Sequence, residues 1–320
     1  MSALFDCPLK DRLAGSSTIL LAGAGGGFDV YAALPLYFAL QALGKTVYLA
    51  NLSFSTIYAS NGKRLGPALV QVDARTTYQT RYFPEILLAQ WFHTERNEEI
   101  SVFCLDRTGA APVIQGYAAL CERLKPDALV LVDGGTDTLM RGDEPGLGTP
   151  QEDAVSLAAA QAVDVPTKLL VCIGFGIDTH HGVCHAYFLE AVAELSRGGA
   201  FLGAWSVLPD MPEGAAYRSA VEFATNAMFN HPSIVNTSIV AAMDGRFGDY
   251  HPTFRTEGSE LFINPLMALY WSFELNAVAE RNLYLSEIRS TESYSDLSLA
   301  IERFRAVHQA VERPWKHLPF

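Results

Sequence analysis

The chain has no Cys-x-x-Cys pair, no run of basic residues and no apolar run long enough to cross a bilayer. Each absence excludes something. The five cysteines, Cys7, Cys104, Cys121, Cys172 and Cys184, are scattered and odd in number. That set fits reduced thiols in a cytoplasmic protein. A net charge of −12 without a Lys/Arg cluster leaves no basic face for nucleic acid. The first residues, Met1-Ser2-Ala3-Leu4-Phe5-Asp6-Cys7, lack a basic region followed by an apolar core, so no signal peptide is expected. No Gly-x-Ser-x-Gly elbow and no Gly-Lys-Ser/Thr loop appears, which argues against a serine hydrolase and a P-loop NTPase. Low-complexity tracts, linkers and internal repeats are missing too. With 320 residues, 49% of them hydrophobic and 18% charged, the chain can bury a large core as a single α/β domain over 1–320.

What is present is organised around residues 16–34. Ile19-Leu20-Leu21-Ala22 is a short apolar run, the mark of a buried parallel strand. Gly23, Gly25, Gly26 and Gly27 follow, and then an apolar helix over Val30 to Leu43. Glycines let the backbone approach a ligand closely, and free N–H groups at a helix start favour an anion there. Asp29 sits where a helix N-cap would sit, with ligand contact as the competing role. A dinucleotide-binding unit wants Gly-x-Gly-x-x-Gly and an acid about 20 residues on. Here Phe28 holds the third glycine position and the second strand ends in Asn51, so NAD is not expected.

Further strands are expected at Thr46–Asn51, Leu69–Val72, Ile100–Leu105, Ala128–Val132, Lys168–Ile173 and Gly203–Leu208, alternating with helices. Ile234–Met243 is apolar and β-branched at several positions and reads as a seventh main strand. Asn264-Pro265 opens a long helix, so the chain from about 264 onward reads as helical. Thr149-Pro150-Gln151-Glu152 reads as a capping box, which gives Glu152 a local role. The alternation implies a Rossmann-like, doubly wound, mostly parallel sheet with a helical C-terminal region.

Ligands of open α/β sheets bind at the carboxyl ends of strands. Three unusual loops fall at such ends: Gly23–Asp29, Asp133–Asp137 and Gly174–His185. Asp133-Gly134-Gly135-Thr136-Asp137 brings two carboxylates together across a glycine turn, able to hold a hard cation or to divide acid and base roles. Gly134, Gly135 and Thr136 would contact the ligand. Asp178, His180, His181 and His185 are ligand types for zinc, manganese or iron, and His181 and His185 would share a helix face. The spacing is not that of His-Glu-x-x-His. Gly23-Ala24-Gly25-Gly26-Gly27-x-Asp29, Asp133-Gly134-Gly135-Thr136-Asp137 with Arg141-Gly142-Asp143-Glu144, and Asn264-Pro265 together resemble the prokaryotic family catalogued as domain of unknown function 1152. The resemblance implies a Rossmann-like fold and supplies no activity.

These residues point to an enzyme for a small anionic metabolite, phosphate- or nucleotide-bearing, acting by hydrolysis or group transfer. Gly23–Gly27 and Asp29 would hold the anion. Asp133, Asp137, His180 and His181 would carry the chemistry. A divalent metal (Mg, Mn or Zn) would sit on Asp178, His181 and His185, or on the aspartates. Two alternatives stand beside this: a metal-dependent C–N hydrolase or lyase, and a non-catalytic nucleotide sensor. A homo-oligomer is compatible with all three.

Overall fold

The computed structural model describes residues 7–259 and 261–316. The N-terminal stretch in which no signal peptide is expected lies outside them except for Cys7. The strands are β1 (Thr18–Gly23), β2 (Thr46–Ser53), β3 (Lys63–Gly66), β4 (Leu69–Asp73), β5 (Ser101–Asp106), β6 (Ala128–Asp133), β7 (Thr167–Cys172) and β8 (Phe201–Ser206). Two-residue strands β9 (Gly248–Asp249) and β10 (Phe262–Ile263) form a separate ribbon, and β11 (Leu269–Glu274) rejoins the main sheet. The helices that position the site are α1 (Pro8–Leu13), α2 (Asp29–Ala32), α3 (Leu34–Ala42), α4 (Pro84–Trp91), α5 (Ala110–Leu124) and α6 (Pro150–Ala162). After them come α7 (His185–Arg197), α8 (Pro212–Ala227), α9 (Ile234–Met243), α10 (Leu275–Arg281), α11 (Leu285–Ile288) and α12 (Tyr294–Val307).

The nine-stranded sheet runs β3-β4-β5-β2-β1-β6-β7-β11-β8. Its centre, β5-β2-β1-β6-β7, is parallel throughout, and β4 and β11 pair antiparallel at its margins. Both faces are covered, which is why β6 is buried at every position. Ile19 and Leu21 of β1 pack on the side of α3, α4 and α8, while Leu20 and Ala22 pack on the side of α5 and α6. Strand order reverses beside β1: β2 lies on one side and β6 on the other. The crevice beyond their carboxyl ends is therefore the topological switch point.

Three elements differ from expectation. Ile234–Met243 is helix α9, not a strand. Its start is fixed by Ser233, whose hydroxyl accepts the Asn236 N–H at 3.1 Å, and that cap outweighs the β-branched residues behind it. The expected long helix from Asn264 is instead a capped 3₁₀ turn over Pro265–Ala268 followed by β11. Asn264 does cap, but Leu-Tyr-Trp-Ser-Phe-Glu buries Tyr270 and Ser272 in the alternation of a strand. Only α10 to α12 make the C-terminal part helical. Finally, the first helix is two pieces, α2 and α3, broken at Ala33, where Pro35 in the first turn of α3 supplies no N–H.

Candidate functional site

A cleft of about 260 Å³ opens at the switch point. Gly25 to Asp29 after β1, Asp133 and Gly134 after β6, Asp137, Thr149, Asp178 and His181 line it, with the aspartates buried and His181 exposed. Phe54, Tyr82, His231, Ser233 and Arg255 complete the lining, and of these Phe54, His231 and Arg255 are exposed. All three loops singled out in the sequence thus contribute to one cavity.

Carboxylates crowd its floor, with Asp133 and Asp137 in the lining and Asp153 buried beside them outside it. Asp133, Asp137 and Asp153 each present an oxygen, and the three atoms lie within 4.8 Å of one another. Asp133 ends β6, Asp137 begins a 3₁₀ turn after it, and Asp153 stands on the first turn of α6. Threonines hold them in place. Thr149 donates its N–H and its hydroxyl to Asp137 at 2.7 and 3.0 Å, and its hydroxyl lies 3.3 Å from Asp153. Thr138 donates its N–H to Asp133 at 3.2 Å and its hydroxyl to Asp153 at 3.0 Å. Asp178 accepts the N–H and hydroxyl of Thr136 at 2.6 and 2.9 Å. Burial, and then the Asp137 charge, push Asp133, Asp153 and Asp178 well above the usual carboxylate range. Burial pushes Asp29 up to about 7, against the pull of the Gly25 and Gly134 amides.

The glycines serve this packing. A Cβ at Gly25 would lie 2.9 Å from Asp153 Oδ1 and 3.0 Å from Asp29 Oδ2. One at Gly135 would lie 2.9 Å from Asp178 Oδ1 and 3.1 Å from Asp133 Oδ1. The anion that meets the glycine loop is the protein's own. Asp29 is the first residue of α2 rather than its N-cap, and its carboxylate accepts the Gly25 N–H at 2.6 Å. The Gly27 N–H goes to Leu52 O, and the Phe54 ring lies against Gly26 and Gly27. Gly23 lies beneath the loop beside Asn51, and is not a lining residue of the cleft. Asn51 in turn donates to Gly27 O and to Glu85, each at 2.8 Å.

The histidines separate. Residues 177–181 form a 3₁₀ turn that ends at Gly182, and α7 begins only at His185. His181 and His185 therefore do not share a helix face. His181 lines the cleft, whereas His185 is buried beside Thr179 and the Phe175 ring. Asp178, His181 and His185 are not assembled as a ligand set among the described residues. His180 makes a 3.2 Å hydrogen bond with Ser259 Oγ, and burial holds its pKa below the ordinary value. Thr149 caps nothing with its side chain, contrary to the capping-box reading, because its hydroxyl serves Asp137 and Asp153. Glu152 instead accepts from the Tyr294 hydroxyl at 3.0 Å. The residue that sequence reasoning missed is thus Asp153, one place further on. Its signal is the Thr149/Asp153 spacing of one helical turn. Arg255 sits in a 3₁₀ turn over Phe254–Thr256 and His231 in the short loop before α9, and neither leaves a local signal.

A family model described as "Protein of unknown function (DUF1152)" matches residues 20–308, and the chain belongs to that family. No curated protein and no solved structure matches it.

Proposed function

We propose that this DUF1152 protein is an enzyme that uses a hard divalent cation, Mg²⁺ or Mn²⁺, to carry out hydrolysis or group transfer on a small phosphate- or nucleotide-bearing metabolite. One observation carries the reading: Asp133 and Asp137 line a cleft at the switch point, and Asp153, buried beside them outside the lining, completes a set of three oxygens within 4.8 Å of one another. Burial and the Asp137 charge raise the pKa of Asp133 and Asp153, and a cation among these oxygens would relieve that repulsion. An all-oxygen set suits magnesium or manganese better than zinc. The bound cation would polarise a phosphoryl oxygen or lower the pKa of water. Thr149 and Thr138 orient the carboxylates by donating to them. Asp178, fixed by Thr136, holds the Asp133–Asp137 turn in place. His181 faces the same cavity and is the group fitted to move a proton.

A zinc-type C–N hydrolase has less support, because His185 lies away from the cleft. A cytoplasmic setting is supported by five unpaired thiols, and a small-molecule partner by the size of the cleft. The acidic balance speaks against nucleic acid. No helix among the described residues is long and apolar enough to cross a membrane. Titration calorimetry with Mn²⁺ tests the cation site: one site is expected in the wild type, with affinity reduced about a hundredfold or more in Asp137→Asn. Equal affinity in the two proteins would refute the proposal.

A further inference from the structure

The cleft is bipolar. Its floor is acidic, and its exposed wall carries one guanidinium, that of Arg255, the single Lys or Arg among the described lining residues. Several arginines of this chain are neutralised: Arg218, Arg281 and Arg313 each face a carboxylate. Arg255 makes no such pair among the described residues. Its Nη1 donates to the Pro232 carbonyl at 2.8 Å, which pins the side chain beside Ser233 and the start of α9. One N–H is thereby used for positioning, and among the described residues the rest of the fork makes no other hydrogen bond or ion pair. His231 stands next to that carbonyl in the chain and lines the same wall.

The alternative anion site is occupied. The Gly25 amide is given to Asp29, the Gly27 amide to Leu52 O, and Phe54 covers the loop. The Arg107 guanidinium lies over the Phe54 ring, 5.2 Å from its centroid, and takes up one of its faces. A ligand that entered with its negative charge against the floor would meet carboxylates unless a cation intervened.

Resting on the cation site proposed above, we infer that Arg255 is the anion-recognising residue of this cleft, and that the ligand group is a phosphoryl or pyrophosphoryl group gripped between the floor cation and the Arg255 fork. Guanidinium matches the paired oxygens of such groups and keeps its charge at any working pH. The loop after β1 then shapes the floor rather than cradling phosphate.

The test is calorimetric and uses the whole chain. Mn²⁺ is titrated first, into wild type, Arg255→Gln and Arg255→Lys. Pyrophosphate, inorganic phosphate and malonate are titrated next, with Mn²⁺ present. Arg255 is exposed, so both variants are expected to fold and to bind Mn²⁺ as wild type does. Pyrophosphate affinity is expected to fall about tenfold or more in Arg255→Gln and less in Arg255→Lys. Pyrophosphate affinity that is absent, or unchanged by Arg255→Gln while Mn²⁺ still binds, overturns the role of Arg255 and leaves the cation site standing. Malonate binding as tightly as pyrophosphate overturns the phosphoryl assignment. Failure of Mn²⁺ to bind wild type removes the cation site, and this inference with it.

Discussion

Asp153 and Glu152 are neighbours with opposite surroundings. Glu152 reaches Arg107, 3.7 Å away, and Tyr294, while Asp153 turns inward among acids. Removing the Asp153 charge should therefore do two things. Asp153→Asn is expected to weaken Mn²⁺ binding about tenfold or more, because one of three anionic ligands is gone. It should also leave the metal-free protein as stable as wild type, or more so, because the folded state no longer has to hold a buried carboxyl protonated. Calorimetry and urea denaturation in EDTA read the two effects separately. A metal-free variant much less stable than wild type would mean that Asp153 is held by its threonines for folding alone. The histidines divide in the same way. His185→Ala should cost roughly 1–3 kcal/mol in urea denaturation and keep Mn²⁺ affinity, since His185 packs in the core. His181→Ala should leave both within error, since His181 stands in the cleft outside the oxygen set. Loss of Mn²⁺ binding in His181→Ala would make the imidazole a ligand and refute an all-oxygen site.

At the scale of elements, short polar contacts decide what hydrophobic pattern leaves open. Helix α9 hangs on Ser233, which accepts from the Asn236 backbone and side chain at 3.1 and 2.9 Å. Ser233→Ala should destabilise the protein by about 1 kcal/mol, measured by urea denaturation. A cost near zero would show that packing alone fixes the helix. The same balance explains what was legible in the sequence. The five parallel strands were, because runs such as Ala128–Val132 are buried on both faces and nothing competes with them. So were the three glycine- and acid-bearing loops at their ends. Helix α9 was not, because Ile, Val and Thr at its start suggest a strand and the cap rests on one residue, Ser233. Strand β11 was hidden behind Asn264-Pro265, a helix-start signal spent on one 3₁₀ turn. The third acid of the floor was masked by Glu152, which fits a capping box that the Thr149 hydroxyl does not make. Which glycines admit a ligand and which admit a carboxylate depends on the contact of the Gly25–Asp29 loop with Asp153, far along the chain and unreadable from spacing.

At the scale of the molecule, the buried acids tie stability to pH. Burial lifts Asp29 from 3.8 and Glu85 from 4.5, each to about 7. Asp133, Asp153 and Asp178 are raised as well. Below about pH 4 these groups are protonated in both folded and unfolded chains and cost nothing. As pH rises from about 4 to 7 the unfolded chain gives up its protons first while the folded chain keeps them. The folded state then binds more protons, so stability falls with rising pH. For Asp29 the full loss above pH 7 is on the order of 4 kcal/mol. The paired acids act lower down: Asp244 is depressed by Arg218, so its contribution is lost only as pH falls below about 4. His180, with a lowered pKa, opposes the trend through about pH 6.5, but it is one partly exposed group. Between pH 5 and 8 the buried acids should therefore dominate, and the metal-free protein should melt at a lower temperature at pH 8 than at pH 5. A divalent cation competes with these protons for the same oxygens, so its stabilisation should grow over that interval and reduce the fall. Asp29→Asn, which keeps the side chain's size and removes its charge, should flatten the metal-free profile. Melting temperatures in EDTA and in Mn²⁺ at pH 5 and pH 8 check both expectations. A metal-free protein that melts higher at pH 8 would mean that the floor carboxylates ionise without cost, and would remove the electrostatic reason for a cation there.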